Sequence, residues 1–295
     1  MKRLFFVFTL VSVFISLTLL SGFNGYAEDN GTDWAAKLEE LRAEIAANGY
    51  TYTVDYNPAC QYTLEQLCGF NPALVDNAYV KIGDTHILTL PSSYMGYHTP
   101  PKDQGSCGSC WAFAMVGAVE GLLKMIFGTD EDLSEQQLLD CNPWGYDCDG
   151  GWFNYGMFID PGAETEACYP YVGFQTPCDE SCPNLYFIYD WAFVPGFPTP
   201  SIDDIKVAIM MYGSVSAAVY ASPAFHGYSG GVFNNCTTGP INHGIVLCGW
   251  DDTLGAWRLK NSWTTGWGEG GYMWITYGCN QVGYGACYPI PFSGG

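Results

Sequence analysis

The stretch that decides the fold runs Gln104-Gly-Ser-Cys107-Gly-Ser-Cys110-Trp111-Ala-Phe-Ala-Met-Val-Gly-Ala-Val-Glu120-Gly-Leu-Leu-Lys124-Met-Ile-Phe127, and Gly128 follows it. From Cys110 to Phe127 the residues are apolar on nearly every helical face, with Glu120 and Lys124 as a single i, i+4 pair. A helix with so little polar face belongs inside a core, and Gly128 ends it. Cys110 opens this helix. There the unpaired backbone N–H groups and the positive end of the helix dipole favour a thiolate over a thiol.

Working outward, Asp33 to Asn48 is rich in Ala, Leu and Glu with apolar residues near helical spacing, and Gly49 stops it. Tyr50 to Tyr56 alternates like a strand, and Thr63 to Leu67 is long enough for one or two helical turns. The composition changes at Leu90-Pro91, which is taken as a boundary. Leu133 to Leu139 forms a second helix with Ser134 and Gln137 near capping-box spacing, and Asp203 to Tyr212 a third, stopped by Gly213. Four short apolar runs follow, at Val215–Tyr220, Gly244–Cys248, Ala256–Lys260 and Tyr272–Thr276, separated by Gly and Asp clusters. Helices therefore precede strands. This segregation predicts an α+β fold of two lobes with a cleft between them.

The chain has 295 residues, 48% apolar and 14% charged, with 30 acidic against 10 basic side chains and a net charge of −20. Nucleic-acid binding needs a cationic surface to displace counterions, so this balance argues against it, and an acidic membrane leaflet is an equally poor partner. The 36 Gly, 21 Tyr and 10 Trp residues point to a loop-rich fold with aromatic anchors. Thirteen Cys, an odd number, predict several bridges in an oxidising compartment and a thiol left over. Lys2 and Arg3 precede the apolar run Leu4–Leu20, and Gly25-Tyr26-Ala27 is small at its first and third positions. This is read as a secretory signal peptide over 1–27, leaving a secreted or extracytoplasmic product with no membrane attachment after cleavage. Asn30-Gly-Thr32 and Asn235-Cys-Thr237 are glycosylation sequons.

Two later segments carry polar residues that complement Cys110. Asn242-His243-Gly244 opens an apolar strand, and an imidazole beside a thiol can hold it ionised and then protonate a leaving group. Lys260-Asn261-Ser262-Trp263 offers an amide oxygen that can bond one imidazole nitrogen and orient the ring. Gln104 can join the Cys110 backbone N–H in stabilising an oxyanion. Two other uses of Cys107-Gly-Ser-Cys110 carry less weight. A thiol–disulfide oxidoreductase lacks its βαβ context, and zinc lacks a second Cys-x-x-Cys.

These three segments, in this order, resemble the papain family of cysteine peptidases. Gln104-Gly-Ser-Cys-Gly-Ser-Cys-Trp-Ala-Phe resembles its nucleophile motif and Asn242-His243-Gly244 its histidine motif. Lys260-Asn261-Ser262-Trp263-Thr-Thr-Gly-Trp267-Gly-Glu-Gly-Gly-Tyr272 resembles its asparagine motif, with Thr264 where Gly is usual. The resemblance spans Leu90 to about Pro291. It implies a helical lobe over about 105–200 and a β-barrel-like lobe over about 201–295, within a peptidase domain of 90–295. It implies Cys110 as nucleophile, His243 as base and acid, Asn261 as its orienter, Gln104 as oxyanion donor and Trp263 as a cover over the His–Asn contact. Cys148-Asp-Gly150-Gly151-Trp152-Phe153 resembles the family's substrate-binding segment, in which glycines let a substrate add as a short strand. By alignment Trp152, Phe153, Ala218 and Ile241, with Asn242 beside them, line the main specificity pocket. An apolar or aromatic residue two positions before the cut is then expected.

The same resemblance pairs Cys107 with Cys148 and Cys141 with Cys178, and gives Cys236 either Cys287 or Cys279 as partner. Cys168–Cys182 and Cys60–Cys68 are further expected pairs, and Cys248 is either buried and free or paired with the remaining cysteine. Residues 28–89 are read as a propeptide. Thr63-Leu-Glu-Gln-Leu-Cys68-Gly69 resembles the short prosegments of the cathepsin B type, and the longer helical motif of the cathepsin L type is absent. The usual Asp-Trp-Arg after Leu90-Pro91-Ser92-Ser93 is also missing. The expectation is a monomeric endopeptidase, made as a zymogen, acting on peptides or proteins without a cofactor or metal, with its own propeptide as inhibitor.

Overall fold

A computed structural model describes residues 32–75, 81–83 and 89–292. The signal peptide read over 1–27 lies outside the described residues, as does Asn30.

Helix α1 (Trp34–Asn48) starts where the Asp33 carboxylate accepts the Ala36 N–H and stops at Gly49 in the left-handed conformation. Its Trp34, Leu38 and Leu41 are buried, one face at helical spacing. Strand β1 (Tyr52–Val54) and the single-turn helix α2 (Leu64–Leu67) follow, the latter closed by a reciprocal Thr63–Gln66 capping box. Then come β2 (Ser93–Met95), the long helix α3 (Cys110–Phe127), α4 (Glu135–Cys141), α5 (Gly156–Ile159) and β3 (Asp190–Phe193). The remainder is α6 (Ile202–Tyr212), β4 (Val215–Val219), α7 (Pro223–His226), β5 (Tyr228–Phe233), β6 (His243–Asp251), β7 (Ala256–Lys260), β8 (Tyr272–Thr276) and β9 (Tyr284–Ile290). Helix α3 occupies the span read from its composition. It is long and apolar enough to cross a membrane, yet most of it is buried in the protein.

The strands form one open sheet in the order β1-β5-β8-β7-β6-β4-β9-β3, with β2 added beside β6. Neighbours are antiparallel except β5 and β8, which are parallel. Strand β3, from the helical half of the chain, crosses to pair with β9. Neither β5 nor β9 showed as a strand in the sequence. Gly230 and Gly231 interrupt the first, and Pro289 lies in the second, where it pairs with Trp191.

Two cores result. One lies against the sheet and includes Trp257, Trp263, Phe225 and Leu259; the other surrounds α3 and includes Trp111, Tyr155 and Phe158. The segment read as the propeptide belongs to the first. Trp34, Leu38, Tyr52 and Leu67 are buried in it, and β1 extends the sheet by pairing with β5. Asn235 is buried at the same seam and donates from Nδ2 to Glu44 Oε1 and Tyr52 Oη, so its sequon is covered.

Four disulfides form: Cys107–Cys148, Cys141–Cys178, Cys168–Cys182 and Cys236–Cys279. The expected use of Cys287 in a bridge is therefore corrected. Cys279 stands in the turn beside the Cys236 loop, which Asn280 holds by accepting the Thr237 N–H at 3.0 Å. Cys287 instead lies in β9 opposite Phe193 and Ser216, its thiol turned into the helical core against Tyr155. The Cys60–Cys68 pair does not form either. Cys248 remains a buried thiol.

Candidate active site

Cys110 is the first residue of α3 and is fully buried. Its Sγ accepts a hydrogen bond from the N–H of Gly244 at 3.4 Å, and the N–H of Gly69 faces it. Cys107 is committed to Cys148, so the Cys-x-x-Cys pair does not cycle as a dithiol, and Cys110 is a thiol in this structure.

His243 opens β6, where it pairs with Val219 of β4. Its Nε2 lies 2.8 Å from Asn261 Oδ1. That oxygen also accepts the Ser262 backbone N–H at 2.8 Å, which identifies it as the acceptor and makes Nε2 the protonated nitrogen of the neutral ring. The basic nitrogen is then Nδ1, which is buried, and the Leu67 backbone lies against the ring. Trp263 packs over the ring with centroids 4.6 Å apart and is itself buried, so water is kept from the His243–Asn261 contact.

The Gln104 side chain is held at both ends. Its Oε1 accepts the Ser262 hydroxyl at 2.6 Å, and its Nε2 donates to Cys107 O at 2.8 Å and Leu67 O at 3.0 Å. Tyr171 Oη donates to Gln104 O and lies 2.7 Å from Ser109 Oγ, which ties this loop to the start of α3. Sequence reading missed Ser262 and Tyr171. The serine stands inside the Lys-Asn-Ser-Trp segment, but only the fold shows that its hydroxyl orients Gln104.

The segment Leu67–Asn71 runs through the cleft. Phe70 N–H donates to Asn242 O at 2.9 Å, Gly151 N–H to Gly69 O at 2.8 Å and Asn71 N–H to Gly151 O at 3.0 Å, a short parallel bridge. Gly150 has φ +143°, and a Cβ on Gly151 would lie 2.6 Å from the Trp111 ring, so both positions require glycine. The Phe70 ring seats between Trp152 and Phe153, at centroid distances of 4.7 and 4.5 Å, in the buried cluster that also holds Ala218 and Ile241. Asn242 is fixed through its side chain to Ala221 N and O. Tyr284, not singled out in the sequence, closes edge-on against Trp152.

In this covered state the helix tip does not ionise the thiol. Burial pushes Cys110 up to about 11, although the amides of Gly244 and Gly69 act to lower it. Burial likewise pushes His243 down to about 4 against the opposing bond to Asn261. Burial therefore favours the neutral thiol and the neutral imidazole while Leu67–Asn71 lies over them. The sulfur also faces backbone N–H groups here, so its lone pairs are engaged and the segment is not presented for attack.

A second polar cluster braces the lobes behind the site. Lys102 Nζ contacts Glu120 at 2.7 Å, Asp132 at 2.7 Å and Glu135 at 3.0 Å, and Lys260 donates to Thr99 at 2.8 Å, a residue that also bonds Glu120. Thr264 has φ +66°, the left-handed region where glycine is favoured.

A sequence profile of the papain family cysteine proteases matches residues 92–290. Fruit bromelain of Ananas comosus is 36% identical over 217 residues, 68% of this chain and 59% of its own length. Ananain of the same plant is 34% identical over 274 residues, 84% of this chain and 77% of its own. A digestive procathepsin L 3 of Tenebrio molitor larval midgut superposes with a TM-score of 0.76 at 29% identity, covering 87% of this chain and 88% of that one. The chain spans less than two thirds of fruit bromelain but more than three quarters of ananain and of the procathepsin. With the profile covering most of the chain and the thiol, imidazole and amide gathered at one seam, the chain belongs to the papain family of cysteine proteases.

Proposed function

We propose that this chain is the zymogen of a secreted cysteine endopeptidase. Once Leu67–Asn71 leaves the cleft, water returns to Cys110 and His243. The ion pair of thiolate and imidazolium then competes with the neutral pair, helped by the α3 N-terminus. Cys110 attacks the scissile carbonyl, and the oxyanion settles between the Gln104 amide and the Cys110 backbone N–H. His243 protonates the leaving amine from Nδ1 and then takes a proton from the water that hydrolyses the acyl-enzyme. Asn261 and Trp263 keep the ring turned toward the sulfur, and Gly151 with Asn242 O binds the substrate backbone as an added strand.

One observation carries this reading: the Leu67 carbonyl accepts from Gln104 Nε2 while Gly69 N–H meets Cys110 Sγ. The chain's own segment occupies the groups a substrate would need. The seating of Phe70 between Trp152 and Phe153 supports a preference for an apolar or aromatic residue two positions before the cut. The test is hydrolysis of fluorogenic peptides with Phe or Leu at that position by matured protein. Wild type is expected to cleave and to be inactivated by a thiol-directed epoxide, whereas Cys110→Ala and His243→Ala are silent. Cleavage that survives Cys110→Ala sinks the reading. A preference for basic residues at that position removes the pocket assignment alone.

A further inference from the structure

Cys68 is a half-buried thiol within the segment that covers the nucleophile. The backbone on either side of it is fixed. Leu67 O is held by Gln104 Nε2 at 3.0 Å, Gly69 O by Gly151 N–H at 2.8 Å, and Phe70 N–H by Asn242 O at 2.9 Å. Gly69 sits so close to the loop before α3 that a Cβ on it would lie 1.8 Å from Gly108 O. Its N–H meets Cys110 Sγ. The Cys68 α-carbon is two bonds from that nitrogen, so the two cysteines are neighbours across the cleft, near enough for the Cys110 sulfur to disfavour ionisation of Cys68.

We propose that Cys68 and Cys110 form a reversible disulfide that holds the prosegment covalently on the nucleophile. The proposal rests on the reading of Cys110 as that nucleophile. It adds a redox condition to activation: removal of the covering segment requires reduction as well as a backbone cut.

The exchange balances with a low-molecular-weight disulfide, such as oxidised glutathione, as oxidant. The half-buried Cys68, as its thiolate, attacks one sulfur of that disulfide, forms a mixed disulfide and expels one thiolate. Cys110, losing its proton, then attacks Cys68 Sγ, forms the Cys68–Cys110 bond and expels the second thiolate. Two protein thiols lose two electrons and two protons, and the external disulfide becomes two thiols. Excess reduced thiol reverses both steps and frees the nucleophile. The surroundings support the bridged form. Burial pushes both thiols up, and the Cys110 sulfur further disfavours ionisation of Cys68. A site that does not stabilise a thiolate does not weaken the bond that replaces it.

The experiment uses the full chain, secreted or refolded in a glutathione buffer, alkylated without reduction and mapped by mass spectrometry. A cross-linked peptide pair carrying Cys68 and Cys110 is expected. It should disappear after mild dithiothreitol treatment, and it should persist in Cys60→Ser. In Cys68→Ala, alkylation of Cys110 in oxidised full chain should be at least about tenfold faster than in wild type. Free Cys110 in oxidised wild type, or Cys68 joined to Cys60, overturns the proposal. The wild-type map decides it even if Cys68→Ala does not fold. Peptidase activity of matured protein is scored separately. A bridge without peptidase activity leaves the inference standing and sinks the function. Peptidase activity without a bridge does the reverse.

Discussion

Nε2 of His243 lies 2.8 Å from Oδ1 of Asn261, and the same oxygen accepts the Ser262 N–H. The amide is thus pinned from its own backbone before it meets the ring. Asn261→Ala leaves the imidazole free to rotate and to change tautomer. The expected result is a kcat lowered by about 10- to 100-fold with KM little changed, read from steady-state kinetics of matured protein. An unchanged kcat removes Asn261 from its orienting role.

In the proposed mechanism Gln104 supplies the side-chain oxyanion donor, and Ser262 Oγ and Cys107 O hold its amide in place. Gln104→Ala should cost about 100- to 1,000-fold in kcat, the range for loss of one preorganised donor. Ser262→Ala frees one end of that amide and should cost a smaller part of the same effect. If Ser262→Ala is the more damaging change, the donor assignment fails.

Gly69→Ala tests the latency of the full chain. A methyl group there would lie 1.8 Å from the backbone oxygen of Gly108, so Leu67–Asn71 cannot keep its path. The variant should label with a thiol-directed epoxide before any cleavage, under reducing conditions in which wild type labels slowly. Phe70→Ala should loosen the same segment through loss of the Trp152 and Phe153 contacts, by about 3 kcal/mol.

Acid should open the prosegment, and His243 contributes to the effect. Under the cover burial holds His243 at about 4, below the 6.5 of an exposed imidazole. The opened form therefore binds the extra proton across that window. Opening is favoured as pH falls from about 6.5 to about 4, by on the order of a hundredfold in all, and is unaffected by this group above that range. Hydrogen exchange at Gly69–Asn71 in the Cys110→Ala chain should accelerate accordingly. His243→Gln should flatten the His-dependent part of the profile.

Lys102 is the counterion of a buried carboxylate pair. Glu120 is fully buried and Glu135 nearly so, and burial already pushes Glu135 up to about 8 despite the ammonium beside it. Lys102→Met removes the nearest ammonium from those carboxyl groups at the joint between α3 and the start of α4, leaving only Lys260 among the described residues, 3.8 Å from Glu120. A loss of about 3–5 kcal/mol is expected, readable as a fall in chemical-denaturation midpoint. Substitution of Lys37, whose partner Glu40 is exposed, should change the midpoint little.

Local pattern made the elements around the site legible. The apolar run to Phe127 defines α3 with its cysteine at the tip, and strands such as Ala256–Lys260 and Tyr272–Thr276 coincide with their apolar runs. Strands β5 and β9 were hidden because glycines and Pro289 carry no strand signal, and their pairing is imposed by neighbours. Cysteine spacing left Cys236 with two candidate partners, and the turn carrying Cys279 chose between them.

By itself, the sequence determined the buried helix, the segregation of helices from strands, and the residue types that thiol chemistry needs. Its local periodicity and motif order are properties of short segments. The tertiary structure alone decided how Leu67–Asn71 lies in the cleft, which groups Gln104 and His243 meet, and that burial opposes ionisation of the thiol and the imidazole beneath it. Those outcomes depend on desolvation and on contacts between residues far apart in the chain, and neither is written in any local stretch.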